Sequence, residues 1–467
     1  PRFGGTVKSV NSDAAKAMPG VVDVVTIPRG VAVVAETYWQ ALQARNELII
    51  EWDESSAEKR GSEQILNEYR ELAAARGGIT VTLNGDGAAA LAGAVEVIEA
   101  EFEFPYLAHA AMEPLNAAAQ FKDGRLQLWG GLQIPDLYQQ TAAQIMGIPP
   151  EKVQLHPMMV GGFFGRRATP NSDVISEVVS IVQQLGTDAP VKLQYSREDD
   201  MQAGYFRPMF VHKVSAGLAA DGSPLAIDHQ VVGQSIIKGT LFENMMMQGG
   251  IDPSSVEGAD KLPYAIPNAE LRLTTTDVQV PVLWWRSVGH THTAYVVETV
   301  IDDMARAAGR DPLDYRRGLL VDKPRHLGVM NLAAEKSGWD TPLKPGTGRG
   351  LAVHESFGSY VAQVVEVTMV DGQPRVDRVV CAIDCGIAIN PDTIAAQMEG
   401  SIGFALGALL EEAITLQDGK VMETNYDGFP VLRINQMPVV EVHIVPSTQS
   451  PTGVGEPAVP PLGPAVA

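Results

Sequence analysis

The sequence predicts an α+β protein built from several mixed units, and three observations carry that reading. Short β-branched runs alternate with helical patterns along the whole chain, so neither a helix bundle nor an all-β sandwich fits. The 467 residues suggest about three domains of ~150 residues each. Hydrophobic residues make up 45% and charged residues 19%, which suits packed cores and excludes a chain disordered throughout. We divide the chain at 1–90, 91–343 and 344–467.

The elements follow in order. VVDVVTI (21–27) and GVAVVA (30–35) read as strands split by a Pro-Arg-Gly turn. Residues 37–48 carry helical spacing, and IIEWD (49–53) returns to extended structure. Residues 56–95 are polar and Gly/Ala-rich, and GDGAAALAGA (85–94) within them resembles a surface linker. VEVIEAEFEF (95–104) alternates strictly and predicts a half-buried strand; RLQLWGG (125–131) and KVQLHPMMV (152–160) add two more. Residues 172–186 form a helix with Ser172 and Asp173 as cap candidates and Gly186 as terminator. A second helix starts in the segment 291–312 and ends in Gly309, with Pro312 beyond it. KPGTGRG (344–350) has the composition of a hinge. Strands at 361–370, 376–384 and 437–447 and a long helix at 391–413 complete the last unit. Asn390 is that helix's expected N-cap and Pro391 its first residue.

Charge and cysteine usage exclude several function classes. Lys+Arg 35 against Asp+Glu 56 gives −21, an acidic surface that repels phosphate backbones, so no nucleic-acid partner is expected. The two cysteines, Cys381 and Cys385, are too few for an iron–sulfur cluster, which takes four thiolates. No apolar run approaches the ~18 residues of a membrane span; the best, Ile402–Leu410, is broken by Gly403 and Gly407.

Six segments are candidates for chemistry. VGGFFGRR (160–167) lies at a strand-to-helix junction, where glycines let backbone N–H groups face an anion and two arginines add charge. DCGIAINPDTIAAQMEG (384–400) places a helix N-terminus after a strand, favourable for a pyrophosphate. In SPTGVGEPAVPPLGP (450–464), Pro457 restrains Glu456 toward extended geometry, as a rigid general base requires. Gln133 in LQIP offers an amide donor at a strand exit. Glu113 in HAAMEPLNAAA is held in the same way before Pro114. In WWRSVGHTHTAYVVE (284–298), His290 and His292 lack a third metal ligand, so helix capping is the better reading, and Arg286 either lines a pocket or packs. Taken singly, each segment also has an ordinary structural explanation: a turn, a capped core helix or a solvated glutamate.

Together, in this order, they resemble the molybdenum-binding subunit of the xanthine dehydrogenase / aldehyde oxidase family. The likeness is to the branch of isoquinoline 1-oxidoreductase β subunits and membrane-bound aldehyde dehydrogenases. It rests on GGFFGRR, MEPLNA, LQIP, WRSVGHTHTAYVVE, DCGIAINPDT with QMEG, and VGEP, and covers essentially the whole chain. The resemblance implies a small hammerhead-like α/β unit (1–90) followed by two mixed α+β molybdenum-cofactor-binding domains. It implies molybdopterin cytosine dinucleotide with molybdenum, the metal held by the cofactor's dithiolene and by no protein side chain. Glu456 then matches the general base and Gln133 the glutamine beside the apical oxo ligand. Gly161, Gly162, Phe163, Phe164, Gly165 and Arg166 match the loop passing the metal centre. Gln397, Asp384, Gly386, Asn390 and Gly455 match cofactor-proximal positions, and Phe163, Trp284 and Trp285 are candidates for a flat substrate pocket.

Two departures stand out. The family loop commonly carries a third glycine where this chain has Phe163, which narrows the expected pocket. The N-terminal Gly-Gln-Gly region of related subunits is absent, which leads to the expectation of a truncated chain or one half of a split subunit. The implied reaction is molybdenum-dependent hydroxylation of an aldehyde or N-heteroaromatic carbon with water-derived oxygen. Its implied partners are a [2Fe-2S] small subunit and a cytochrome c subunit, and its implied place is the periplasm or inner membrane. The alternative is a cofactor-free scaffold, or a part that needs a companion chain to complete the site. A nicotinamide-dependent enzyme ranks last, since GxGxxG with a following acidic residue is missing.

Overall fold

Three sheets carry the architecture, and each forms where alternating apolar residues meet a helix with a matching stripe. The computed structural model describes residues 1–467. The first sheet runs in the order Val191–Gln194, Asn116–Lys122, Arg125–Gly130, Val153–Pro157, with only the last pair parallel. Helices Pro135–Met146 and Asp173–Leu185 cover it. Val174, Val178 and Val182, four residues apart, share a core with Leu126 and Leu128. Each such side chain contributes about 1.5–3 kcal/mol of burial before entropy is subtracted.

The second sheet orders Ile79–Asn84, Asn268–Thr276, Pro224–Gln234, Phe210–Leu218 and Glu96–Phe104. The third orders Thr347–Ser356, Ser359–Val370, Gln373–Asp384 and Val439–Ile444. Helix His290–Ala307 lies in the core these two share: Val296, Val300 and Met304 cluster with Val214 and Val231 of one and Val353, Val364 and Val380 of the other. Strand period two sends Val379, Cys381 and Ile383 to the opposite face. There they meet Met398, Ile402 and Leu406 of helix Pro391–Leu410 and Leu462 near the chain end. A sheet buried on both faces explains why VVCAI reads as an unbroken apolar run. Both cysteines are buried and unpaired, and burial pushes the Cys381 thiol up to about 12.

The N-terminal strands pair as expected, Val21–Ile27 with Gly30–Ala35, and Thr6–Asn11 with Ile49–Asp53. Val25 and Ala32 pack on Ile181 of helix Asp173–Leu185.

Several expectations need correction. Residues 56–95 are not a linker: they form helix Ser62–Ala74, strand Ile79–Asn84 and helix Gly87–Ala92. Ile65, Tyr69 and Ala73 make a buried stripe at i, i+4, i+8, hidden in the sequence by the polar residues between them. KPGTGRG is not a hinge either, because Thr347–Gly350 pairs with Val365–Thr368. The helix expected to stop at Gly309 does so: it runs His290–Ala307 with Gly309 at φ +63°, and Pro312 starts a further helix, Pro312–Leu319, capped by Asp311. Helix Pro391–Leu410 is long and apolar enough to cross a membrane by composition, and it lays Ile394, Met398, Ile402 and Leu406 on the third sheet.

Candidate active site

The loop 160–167 is built by backbone dihedrals that ordinary residues avoid. Gly162 and Gly165 sit at φ +116° and +106°, and Phe164 between them at +51°. A Cβ on Gly165 would lie 2.2 Å from the carbonyl oxygen of Trp284, so only glycine allows these segments to meet. Glu113 ties down the loop's entry. Its Oε2 accepts the Gly161 N–H at 2.5 Å and its Oε1 accepts the Asn116 amide at 2.6 Å. Burial acts to raise the Glu113 carboxyl, but these donors outweigh it and the net direction is down. Gln133 closes the exit by a two-way exchange with Arg167: its Oε1 accepts the Arg167 N–H at 3.1 Å, and its backbone N–H donates to Arg167 O at 3.3 Å. With the carboxamide oxygen engaged, the amide nitrogen is the end left for another acceptor.

The turn 284–289 holds the tail segment against this loop. Arg286 donates to Gly455 O through Nε (2.9 Å) and Nη2 (2.6 Å), and Nη2 also donates to Gln397 Oε1 at 2.9 Å. One planar guanidinium thus joins three distant segments, which a lysine has too few fixed donors to do. Phe164 stacks on Phe404 at 4.5 Å and Phe404 on Trp285 at 4.4 Å, with Arg286 6.0 Å from the Phe164 ring. Ser287 Oγ donates to Glu456 O at 2.7 Å, and the Val459 N–H adds a second bond at 3.0 Å. Ser287 and Val288 both have positive φ, +73° and +46°. A β-branched residue there is strained, and such strain concentrates at working sites.

The result is a carboxylate fixed through its backbone and free at its side chain. Glu456 Oε2 is buried and has no hydrogen-bond partner. Burial raises the Glu456 carboxyl, against the opposing pull of the Ser287 N–H and the Arg286 charge. A base needs this combination: a held position, a bare oxygen and a proton affinity moved toward neutral pH.

The other predicted residues divide into two groups. Gln397 and Gly455 join Glu456 through Arg286, and Phe163 and Phe164 lie in the loop itself. Arg166 is a correction. Its guanidinium is buried, 2.9 Å from Asp173 and 4.7 Å from the Tyr205 ring, so its charge balances a core carboxylate. Trp285 is another: it is 1% exposed, and its Nε1 donates to Ala108 O at 3.2 Å, leaving it no face for a substrate. Trp284 is only half-buried.

The 384–390 segment acts mainly as a scaffold. Asp384 is gripped by both arms of Arg325, at 2.7 and 2.8 Å, which holds its carboxyl below the usual range. Gly386 admits the Ser450 backbone, and Asn390 caps helix Pro391–Leu410 by accepting the Thr393 N–H at 3.1 Å. Thr452 N–H bonds Cys385 O, so this segment sets the path of the loop that leads to Glu456. His290 and His292 cap nothing; each bonds another histidine, His354 and His212. Sequence reasoning left Arg286 undecided and did not single out Ser287, although both lie in the WRSVGHTHTAYVVE segment.

Residues 72–319 match the family profile described as molybdopterin cofactor-binding domain, and residues 286–438 match a second profile of that description. The chain belongs to the molybdopterin-binding subunits of the xanthine dehydrogenase / aldehyde oxidase family. It is 31% identical to the isoquinoline 1-oxidoreductase subunit beta of Brevundimonas diminuta, over 100% of this chain and 61% of that protein. It is 30% identical to a membrane-bound aldehyde dehydrogenase (pyrroloquinoline-quinone) of Gluconacetobacter polyoxogenes, over 100% of this chain and 64% of that one. The chain therefore spans less than two thirds of the length of these relatives. The fold matches quinoline 2-oxidoreductase from Pseudomonas putida 86 with TM-score 0.82 at 16% identity, covering 100% of this chain and 90% of the other.

The residues present fit a molybdopterin. The bare Glu456 oxygen is a buried polar atom without a protein partner. A Cβ on Gly455 would meet nothing within 4 Å, so the backbone beside it borders open space. Gln397 and the N–H groups of the glycine loop are donors suited to an anionic, polar cofactor.

Proposed function

We propose that this chain is the cofactor-binding part of a molybdenum hydroxylase that oxidises an aldehyde or an N-heteroaromatic carbon with oxygen from water. The observation that carries this reading is the unpartnered oxygen of Glu456, in a loop clamped by Arg286 and Ser287. The cofactor would be the cytosine dinucleotide form, supplying a redox-active molybdenum that exchanges two electrons with the substrate. Gln397, Gly455 and the 161–165 loop would hold it, with Asp384, Gly386 and Asn390 shaping the wall behind. Gln133 would direct its amide N–H toward an oxygen at the metal centre.

Glu456 Oε2 receives the proton released as the substrate is attacked. Burial makes that oxygen a stronger base than a solvated carboxylate, and the Arg286 charge opposes that rise. Phe163 and Trp284 border the approach and favour a flat substrate. Two cysteines cannot hold a cluster, so electrons would leave through a [2Fe-2S] subunit and onward to a cytochrome c. We place the assembly in the periplasm or at the inner membrane.

The test is metal and pterin analysis of the intact purified protein, together with dye-linked oxidation of benzaldehyde and of isoquinoline. Stoichiometric molybdenum with turnover of either compound supports the reading. Protein devoid of molybdenum when expressed in a molybdenum-replete host contradicts it and favours the cofactor-free scaffold.

A further inference from the structure

A cavity of about 230 Å³ lies against the second sheet, and none of its lining residues belongs to the 161–165 loop, the 284–289 turn or the 450–456 segment. Strand register builds its floor. Ile227 pairs with Ala269 and His229 with Leu271 across strands Pro224–Gln234 and Asn268–Thr276, so the four side chains share one face. Tyr264 and Ile266, just before the second of these strands, complete the apolar lining, and the Tyr264 hydroxyl is tied to Glu298 Oε1 at 2.5 Å. Exposed Lys261 stands at the edge, so the space opens to solvent.

One polar group in this lining is anchored from behind. His229 is 3% exposed, its Nε2 is 2.7 Å from His212 Nδ1, and His212 Nε2 is 2.9 Å from His292 Nδ1. His229 Nδ1 is left on the cavity side with no protein hydrogen bond. Burial lowers all three rings, His229 to about 3, so each is neutral with one donor and one acceptor nitrogen. In such a chain, fixing one end fixes the other. At the inner end, Arg207 and His292 border a second space of about 10 Å³, and each lies 5.8 Å from the Phe104 ring. Arg207 Nε and His292 Nε2 are both buried without a protein partner. A guanidinium nitrogen only donates, so His292 Nε2 is the accepting atom, directly or across the one water that fits there. His292 Nδ1–H then donates to His212, His212 Nδ1–H donates to His229, and His229 Nδ1–H is an unmet donor at the cavity wall.

We propose that this cavity binds a neutral, ring-sized apolar molecule carrying one hydrogen-bond acceptor, which takes the His229 Nδ1–H. The inference stands apart from the proposed reaction. An apolar cavity of ~150 Å³ takes a benzene, so this larger one takes a ring with a short substituent. The charges around it leave no net demand: Glu270 pairs with Arg272 at 2.5 Å, and Asp260 and Lys261 are neighbours of opposite sign. Burial keeps His229 uncharged, which favours a neutral acceptor over an anion.

The test is calorimetric titration of the intact protein with acetophenone and with ethylbenzene, molecules of one shape of which only the ketone accepts a hydrogen bond. The wild type should bind acetophenone, and ethylbenzene about tenfold more weakly. Ala269→Phe, which fills the floor, should abolish acetophenone binding, and His229→Phe should bring the two affinities together. Nitrogen NMR of protein with labelled histidine should show His212, His229 and His292 as Nδ1–H tautomers, with the His229 signal moving when acetophenone is added. Absence of acetophenone binding, equal affinity for the two molecules in the wild type, binding that survives in Ala269→Phe, or a His229 proton on Nε2 each overturns the proposal.

Discussion

Glu298 and Glu456 are both buried carboxyls next to an arginine, and burial raises both. They differ in what their oxygens touch. Glu298 Oε1 accepts the Tyr264 hydroxyl at 2.5 Å, and its Oε2 accepts Arg316 Nε at 3.1 Å and the Val353 N–H at 3.0 Å. Glu456 has its backbone carbonyl held twice while Oε2 goes unpartnered. Proton affinity alone does not separate the two; satisfaction does. A fully partnered buried carboxyl joins helix to sheet, whereas one left bare retains a capacity that folding did not consume.

Removing the carboxyl from each region should break different properties. Glu298→Ala leaves Arg316 buried with only Asp302 and should cost about 3–5 kcal/mol of stability in chemical denaturation. Arg286→Lys should leave folding nearly intact and lower kcat about tenfold to a hundredfold, because one ammonium cannot hold Gly455 and Gln397 together. A KM change without a kcat change would mean that the clamp serves only substrate binding. Gly165→Ala pushes a methyl group against Trp284 O at positive φ and should destabilise by about 1–3 kcal/mol in thermal melting.

The smallest effect is a pH slope. The folded Glu456 carboxyl is raised above its unfolded value of about 4.5, so the native state binds the extra proton between the two. Stability contributed by this group is therefore present below pH 4.5 and declines as pH rises toward the folded value. Glu456→Gln should flatten that decline in pH-dependent melting, and an unchanged slope would place Glu456 in water.

Much of this site was legible because its parts are local. The positive-φ loop needs Gly162 and Gly165, the long helix needs Asn390 before Pro391, and Glu456 needs its flanking Gly455 and Pro457. Those constraints sit within a few residues of one another and leave a pattern in the sequence. Arg166 and Trp285 misled for the opposite reason. Whether a guanidinium faces a loop or Asp173, and whether an indole is open or stacked on Phe404, depends on residues far along the chain. The central strands Phe210–Leu218 and Pro224–Gln234 escaped because they are interrupted by glycines and by buried His212 and His229.

The central claim is that Glu456 takes a proton and does not hold the fold. The most direct measurement is kcat/KM of Glu456→Gln in protein loaded with molybdenum, with metal content and melting temperature read on the same sample. The account predicts unchanged metal and a melting temperature no lower than that of the wild type, with kcat/KM lowered at least about 10²-fold. Turnover near that of the wild type, at equal metal content, would contradict it.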